Sequence, residues 1–180
     1  MNPNLDSRDL ADLTPGFRSQ VESVIAACKE RGVTMRPFFT SRGPSTQAKL
    51  WCQSRTAAQI SAQKAQLVAA GAPFLASFLK EAYASTGKEV TKALPGQSWH
   101  QWGEAVDCFV QSESGEAIWD SRHPGYKIYA EEATKVGLEA GAYWVKLKDT
   151  VHVQARKDAS PTSAGISWAE LDRQMKARYS

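Results

Sequence analysis

The apolar positions of this chain fall into blocks of two periods, one helical and one strand-like. Phe17, Val21, Val24, Ile25 and Cys28 share one face at helical spacing. They predict a helix opened by Thr14 as N-cap, with Pro15 at its first position and Gly32 closing it. Leu10 and Leu13 suggest a short helical turn just before it. Residues 33–41 (VTMRPFFTS) read as a strand, and Pro37 puts that strand at an edge or at a bulge. Ser45 is the expected N-cap of a helix over residues 46–53. Residues 57–85 have a different texture, rich in Ala, Gln and Leu and broken at Gly71-Ala72-Pro73. They predict a helical hairpin whose second arm carries Phe74, Leu75, Phe78, Leu79 and Ala82 on one face and ends at Gly87. A turn at Leu94-Pro95-Gly96 leads towards a strand over residues 105–110 (AVDCFV). A helix over residues 129–140, ending near Gly141, and a short strand over residues 151–155 follow. After a Ser/Pro/Thr/Gly linker from Ser160, Ser167 and Glu170 fit a capping box that opens a last helix carrying Trp168, Leu171 and Met175. Short strands with segregated helices make the expected class α+β, with a small antiparallel sheet flanked by helices and a helical hairpin over residues 57–86.

Composition changes this picture little. The 180 residues are 42% hydrophobic and 23% charged, which excludes disorder as a description of the whole chain. Lys and Arg number 22 against 19 acidic residues, a net charge of +3. That balance suits an anionic partner such as a cell wall and, being diffuse, argues against nucleic acid. No stretch reaches the 18 apolar residues of a membrane-spanning helix, so no membrane insertion is expected. Residues 1–12 are polar and acidic and lack the basic and apolar regions of a secretory signal. Synthesis in a cytoplasm is expected, with any work outside it depending on separate release. Cys28, Cys52 and Cys108 are odd in number and never at CxxC spacing, so neither a zinc knuckle nor a disulfide framework is indicated. Cys28 and Cys108 read as small buried hydrophobes.

The chemistry concentrates in two segments, residues 98–107 (SWHQWGEAVD) and residues 149–154 (DTVHVQ). They hold two of the three histidines, each near an acidic residue. Asp107 interrupts an apolar strand, and a carboxylate there is costly unless it is paired or bound to a metal. Two imidazoles and one carboxylate would bind zinc and leave a fourth position for water, as catalytic sites do. Asp149 stands three residues before His152, placed for a general base. Spacing alone leaves a second reading open, in which His100 and His152 are unrelated and Asp107 pairs with a Lys or Arg.

Ser98-x-His100-x-x-Gly103-x-Ala105-x-Asp107, followed by Asp149-x-x-His152, resembles the zinc site of the D-Ala-D-Ala peptidase branch of the LAS peptidases (lysostaphin, D-alanyl-D-alanine peptidases, sonic hedgehog). That branch includes bacterial D,D-carboxypeptidases and phage endolysins that cleave the L-alanyl-D-glutamate bond of peptidoglycan. Thr40-Ser41-Arg42 with Gln47 resembles the family's substrate-binding arginine and glutamine. Leu50-Trp51-Cys52-Gln53-Ser54-Arg55-Thr56 resembles the endolysin stretch Leu-Tyr-Ala-Gln-Gly-Arg-Thr, and Gly87-Lys88-Glu89-Val90-Thr91 with Pro95-Gly96-Gln97-Ser98 resembles the approach to their first ligand. Gly141-Ala142-Tyr143-Trp144 resembles a Gly-Gly-Asp-Trp stretch before the base.

The resemblance implies one zinc ion per chain, held by His100, Asp107 and His152 on the small sheet. It implies Asp149 as general base, with Arg42 binding substrate and supporting the charge on the scissile carbonyl oxygen. Gln47 would hydrogen-bond the peptide, with Ser98 and Trp144 as lesser binding residues. The domain would run over residues 1–158, followed by a linker and short helix over residues 159–180 that docks back or contacts the wall. The implied activity is that of a zinc peptidase acting, as a monomer, on the stem peptides of peptidoglycan. An L-alanyl-D-glutamate endopeptidase in the role of a phage endolysin, reaching the wall through holin or similar release, leads. A D-alanyl-D-alanine carboxypeptidase and an inactive zinc-binding or wall-binding module are the alternatives. The sequence departs from the pattern at Ser54, where the endolysins have Gly, at Ala142 and Tyr143, and in the inserted hairpin. His123, before Pro124-Gly125, is expected in a surface turn.

Overall fold

A computed structural model describes residues 6–146 and 148–180. The first five residues of the stretch read as lacking a secretory signal lie outside those described. By their contacts the described residues form two compact units, one of Asp6, Arg42–Gln101 and Asp158–Ser180, the other of Ser7–Ser41 and Trp102–Lys157.

The sheet belongs to the second unit. Its strands are β1 (Thr34–Phe39), β2 (Ala105–Gln111), β3 (Ala117–Ile118), β4 (Glu139–Ala140) and β5 (His152–Gln154). They run in the order β1-β2-β5-β4, all antiparallel, with β3 also paired to β2. The α+β class with a small antiparallel sheet flanked by helices is therefore observed. Both expectations for Pro37 hold: β1 is an edge strand, and its register with β2 slips between Pro37 and Phe39. Helix α1 (Pro15–Glu30) packs against β1 and against α5 (Pro124–Lys135). Phe17, Val21, Val24 and Cys28 of α1 join Met35, Val106, Cys108, Val110, Tyr126, Tyr129 and Val153 in one core. Period two does the sorting in β2: Val106, Cys108 and Val110 enter that core, so Asp107 and Phe109 belong to the opposite face. Burial raises the thiols of Cys28 to about 11 and Cys108 to about 12, as expected of small buried hydrophobes.

Helix ends follow local chemistry more closely than the apolar stripes suggested. Gly32 closes α1 at φ +78°, with the Val33 N–H donating to the Cys28 carbonyl at 2.9 Å. Thr14 occupies the N-cap position of α1, without a side-chain cap bond. The expected helix at 129–140 is instead α5, five residues earlier. His123 is its N-cap, Nδ1 accepting from the Gly125 N–H at 3.1 Å, and Pro124 is its first residue. Gly137, at φ +82°, ends that helix, and residues 139–140 turn to strand. His123 is thus the opening of a helix, not merely a surface turn.

In the first unit, α2 (Pro44–Cys52) starts two residues before the expected helix, with Gly43 rather than Ser45 as N-cap. Helix α3 (Ala57–Ala69) opens on a capping box between Thr56 and Gln59, and Ile60 and Leu67 are buried. The second arm of the hairpin is much shorter than its apolar face implied. It is one turn, α4 (Pro73–Ala76), after which Phe78 and Leu79 bond three residues back and the chain straightens. Burial of Leu75 and Leu79 and edge-to-face contact of Phe74 with Phe78 replace a helical face. The tail docks: α6 (Trp168–Tyr179) packs against α4, buries Leu171, Met175 and Tyr179, and sends the Asp172 carboxylate to the Leu75 N–H at 2.8 Å.

Candidate metal centre

His100 lies on a single 3-10 turn, Trp99–Trp102, that leads directly into β2. Ser98 precedes that turn, buried, its carbonyl accepting the Gln101 N–H at 3.0 Å. Gly103 follows at φ +69°, and a Cβ there would stand 2.7 Å from the Asp12 carbonyl oxygen, so only glycine carries the chain past this point. Asp107 and His152 are Cα partners across β2 and β5, on the sheet face opposite the core. The Asp107 Oδ1 and His152 Nδ1 are 2.9 Å apart.

His100, Asp107 and His152 are all buried, at 1%, 6% and 9% exposure, and their candidate ligand atoms all lie within 4.8 Å of one another. Among the described residues this is the group of His, Cys, Asp and Glu side chains that can hold a metal ion. Two imidazoles and a carboxylate are the donor set of an open zinc site, and the spread of these atoms suits ligands on one ion.

The surroundings of His152 carry the next level of the site. Its backbone N–H donates to the Asp149 carbonyl at 3.3 Å, and the Asp149 side chain is exposed. Burial alone lowers the imidazole's affinity for a proton. The Asp107 hydrogen bond and charge, then the charge of Asp149 and the bond to Gln154, outweigh burial and raise the His152 pKa above its ordinary value in the metal-free chain. The Trp144 ring lies 5.0 Å from the His152 ring, tilted by 46°. Asp149 itself is held by Gly141. The Asp149 N–H donates to the Gly141 carbonyl at 3.0 Å, and a Cβ on Gly141 would meet the Asp149 carbonyl oxygen at 2.5 Å. The sequence reading gave Gly141 a helix end; its place is beside Asp149.

In the first unit Arg42 and Gln47 meet, the Arg42 Nη1 donating to the Gln47 Oε1 at 3.3 Å. Gln47 is wholly buried, and its amide nitrogen donates to the Ala93 carbonyl at 2.7 Å, so the amide is turned to the chain itself. In the Leu50–Thr56 block, Arg55 lies 4.1 Å over the Trp51 ring and pairs with Glu89 at 2.8 Å. That part of the resemblance marks how α2 ends and how the chain near residue 89 is held.

The D-alanyl-D-alanine carboxypeptidase family VanY matches residues 11–141, nearly three quarters of the chain. The chain belongs to the VanY family. The match takes in Arg42, Gln47, Ser98, His100 and Asp107 and stops before Trp144, Asp149 and His152. The peptidoglycan L-alanyl-D-glutamate endopeptidase CwlK of Bacillus subtilis (strain 168) is 32% identical over 151 residues, covering 80% of this chain and 74% of that protein. The crystal structure of the Serratia marcescens L-Ala D-Glu endopeptidase ChiX aligns with 84% of this chain and 88% of its own, at 19% identity and a TM-score of 0.44. Among the described residues of this family member, no helix is long and apolar enough to cross a membrane.

Two features of the site escaped the sequence reading. One is Gln154, 3.1 Å from the His152 Nε2. The other is the pair Glu104 and Arg156 that flanks it. The strand alternation His152-Val153-Gln154 was the available signal, since it places Gln154 on the same face as His152.

Proposed function

We propose that this chain is a zinc-dependent peptidase that cleaves the L-alanyl-D-glutamate bond of peptidoglycan stem peptides, in the manner of an endolysin. The observation that carries this is the buried group of His100, Asp107 and His152, with Asp149 exposed beside it. The likeness to CwlK supports the choice of bond, and the mild positive charge suits a wall substrate.

His100, Asp107 and His152 would hold the ion. Zinc, when bound, supplies a Lewis acid that polarises the scissile carbonyl and lowers the pKa of water. Asp149 takes the proton of the attacking water and returns it to the departing nitrogen, so that the amine leaves neutral. Arg42 donates to the carbonyl oxygen as negative charge develops there, and Gln47 steadies the guanidinium. Ser98 and Trp144 complete the binding surface for the stem peptide. The enzyme works as a monomer, made in a cytoplasm and released to the wall by a holin or similar route.

A D-alanyl-D-alanine carboxypeptidase is the second reading, favoured by the description of the matched family. Digestion of purified peptidoglycan, with mass spectrometry of the new termini, separates the two. New L-Ala carboxyl and D-Glu amino ends from wild type, absent with Asp149→Ala, are expected. Release of free D-Ala would establish the carboxypeptidase. No cleavage together with no bound zinc would leave neither reading standing.

A further inference from the structure

His152 and Gln154 alternate with Val153 on β5, so both side chains leave the sheet on the face opposite the core. Gln154 is 2% exposed, and its amide is oriented from one end: Nε2 donates to the Arg156 carbonyl at 2.5 Å. The Arg156 backbone is itself held. Its guanidinium donates from Nε and Nη2 to both carboxylate oxygens of Glu104 at 2.6 and 2.8 Å, and the Ala155 N–H donates to the Glu104 carbonyl at 2.9 Å. With the amide nitrogen committed to a carbonyl, the atom left facing the His152 Nε2, at 3.1 Å, is the oxygen Oε1. An amide oxygen only accepts, so Nε2 must carry the proton. A neutral imidazole has one N–H, and Nδ1 is therefore left with its lone pair directed at the Asp107 Oδ1, 2.9 Å away. Two lone pairs converging at that distance are held together by a cation between them, a proton in the metal-free chain and the metal ion once it binds.

We propose that Gln154 is a positioning residue for the metal centre: held by the Arg156 carbonyl, it fixes the Nε2–H tautomer of His152 and so makes Nδ1 the ligating nitrogen. The inference rests on the metal reading of His100, Asp107 and His152. An outer hydrogen bond of this kind sets ring orientation and raises ligand basicity, and its loss costs roughly 10- to 100-fold in metal affinity. The Glu104–Arg156 clamp extends the same device to the surface.

The test uses the zinc-loaded full chain labelled with 15N-histidine, with zinc affinity measured by competition against a chromophoric chelator. Wild type is expected to show a solvent-protected Nε2–H on His152 and a metal-shifted Nδ1. Gln154→Leu, close in volume and lacking the acceptor, should lose that protection and bind zinc about 10- to 100-fold more weakly. Gln154→Glu, which keeps an acceptor oxygen, should recover most of the affinity; a merely structural role predicts no such rescue. Should Gln154→Leu fail to fold, Glu104→Gln, at the outer end of the clamp, should still weaken zinc binding severalfold. Leucine and wild-type proteins alike in affinity and in His152 15N pattern would overturn the proposal. If wild type bound no zinc, the metal reading would fall, and the metal-free spectrum at alkaline pH would still decide the tautomer. There an Nδ1–H form in wild type would overturn the role of Gln154, and an Nε2–H form lost in Gln154→Leu would uphold it.

Discussion

Gly141 has no side chain because the Asp149 backbone occupies the space one would need, with a Cβ falling 2.5 Å from the Asp149 carbonyl oxygen. Any substituent must push the Asp149 backbone away, and the proposed general base moves with it, while His152 is held by its pairing with β2. Gly141→Ala is therefore expected to lower kcat on peptidoglycan by about 100-fold, the scale of a 1 Å misplacement of a catalytic group. Zinc affinity should fall far less, because the ligands His100 and Asp107 lie on other segments. Turnover equal to wild type would show that Asp149 does not depend on this contact. Gly141 was recognisable in the sequence as part of a family-like stretch, and its role was not, because close backbone approach leaves no mark in hydropathy.

At the scale of elements, the turn after α2 and the first turn of α6 each make a checkable claim. Ser54 stands at φ +66°, at the position of the glycine in the endolysin stretch it resembles. A side chain in the left-handed region costs about 1 kcal/mol net of glycine's extra chain entropy. Ser54→Gly should raise the urea midpoint by the equivalent of about 1 kcal/mol, and an unchanged midpoint would contradict the strain. In α6, hydrogen bonds from Arg173 and then Gln174 hold the Glu170 carboxyl down at about 2, against an ordinary value of 4.5. A depressed folded pKa means that this contribution stands in full above the ordinary value and is lost as the pH falls towards about 2. A carbon-detected NMR titration should find the Glu170 midpoint near 2, and a midpoint near 4.5 would show that the two partners do not hold it. The ends of α5 carry a related lesson. The apolar spacing over residues 129–140 correctly announced a helix, yet its limits were set by His123-Pro124 and by Gly137, caps outweighing periodicity.

For the molecule as a whole, the metal reading links function to stability. A site assembled from separate segments exists in the folded chain and not in the unfolded one, so bound zinc stabilises by mass action. Free zinc at about one hundred times its dissociation constant should add about 2.7 kcal/mol to unfolding, and chelation should remove that increment together with activity. Thermal unfolding that ignores both zinc and chelator would rule out a folded-state site. The tail contributes at this scale as well. Leu171, Met175 and Tyr179 are buried and Asp172 caps α4, so Asp158–Ser180 is part of one compact unit with Arg42–Gln101.

The residue types and their order by themselves determined the α+β class, the helix α1 with its glycine cap, the strand carrying Asp107 and the short list of side chains able to bind a metal. These follow from local periodicity, from the desolvation cost of a carboxylate in an apolar strand and from blocks of residues shared with a family. Tertiary structure decided the rest. It cut the second arm of the hairpin to one turn, because Leu75 and Leu79 reach burial without a continuous helix and Asp172 caps the turn from a distant segment. It turned Gln47 inward to Ala93, set Gly141 against Asp149 and brought Gln154 to His152. Each of these depends on which backbone atoms lie within hydrogen-bond or van der Waals reach, and hydropathy along the chain holds no record of that.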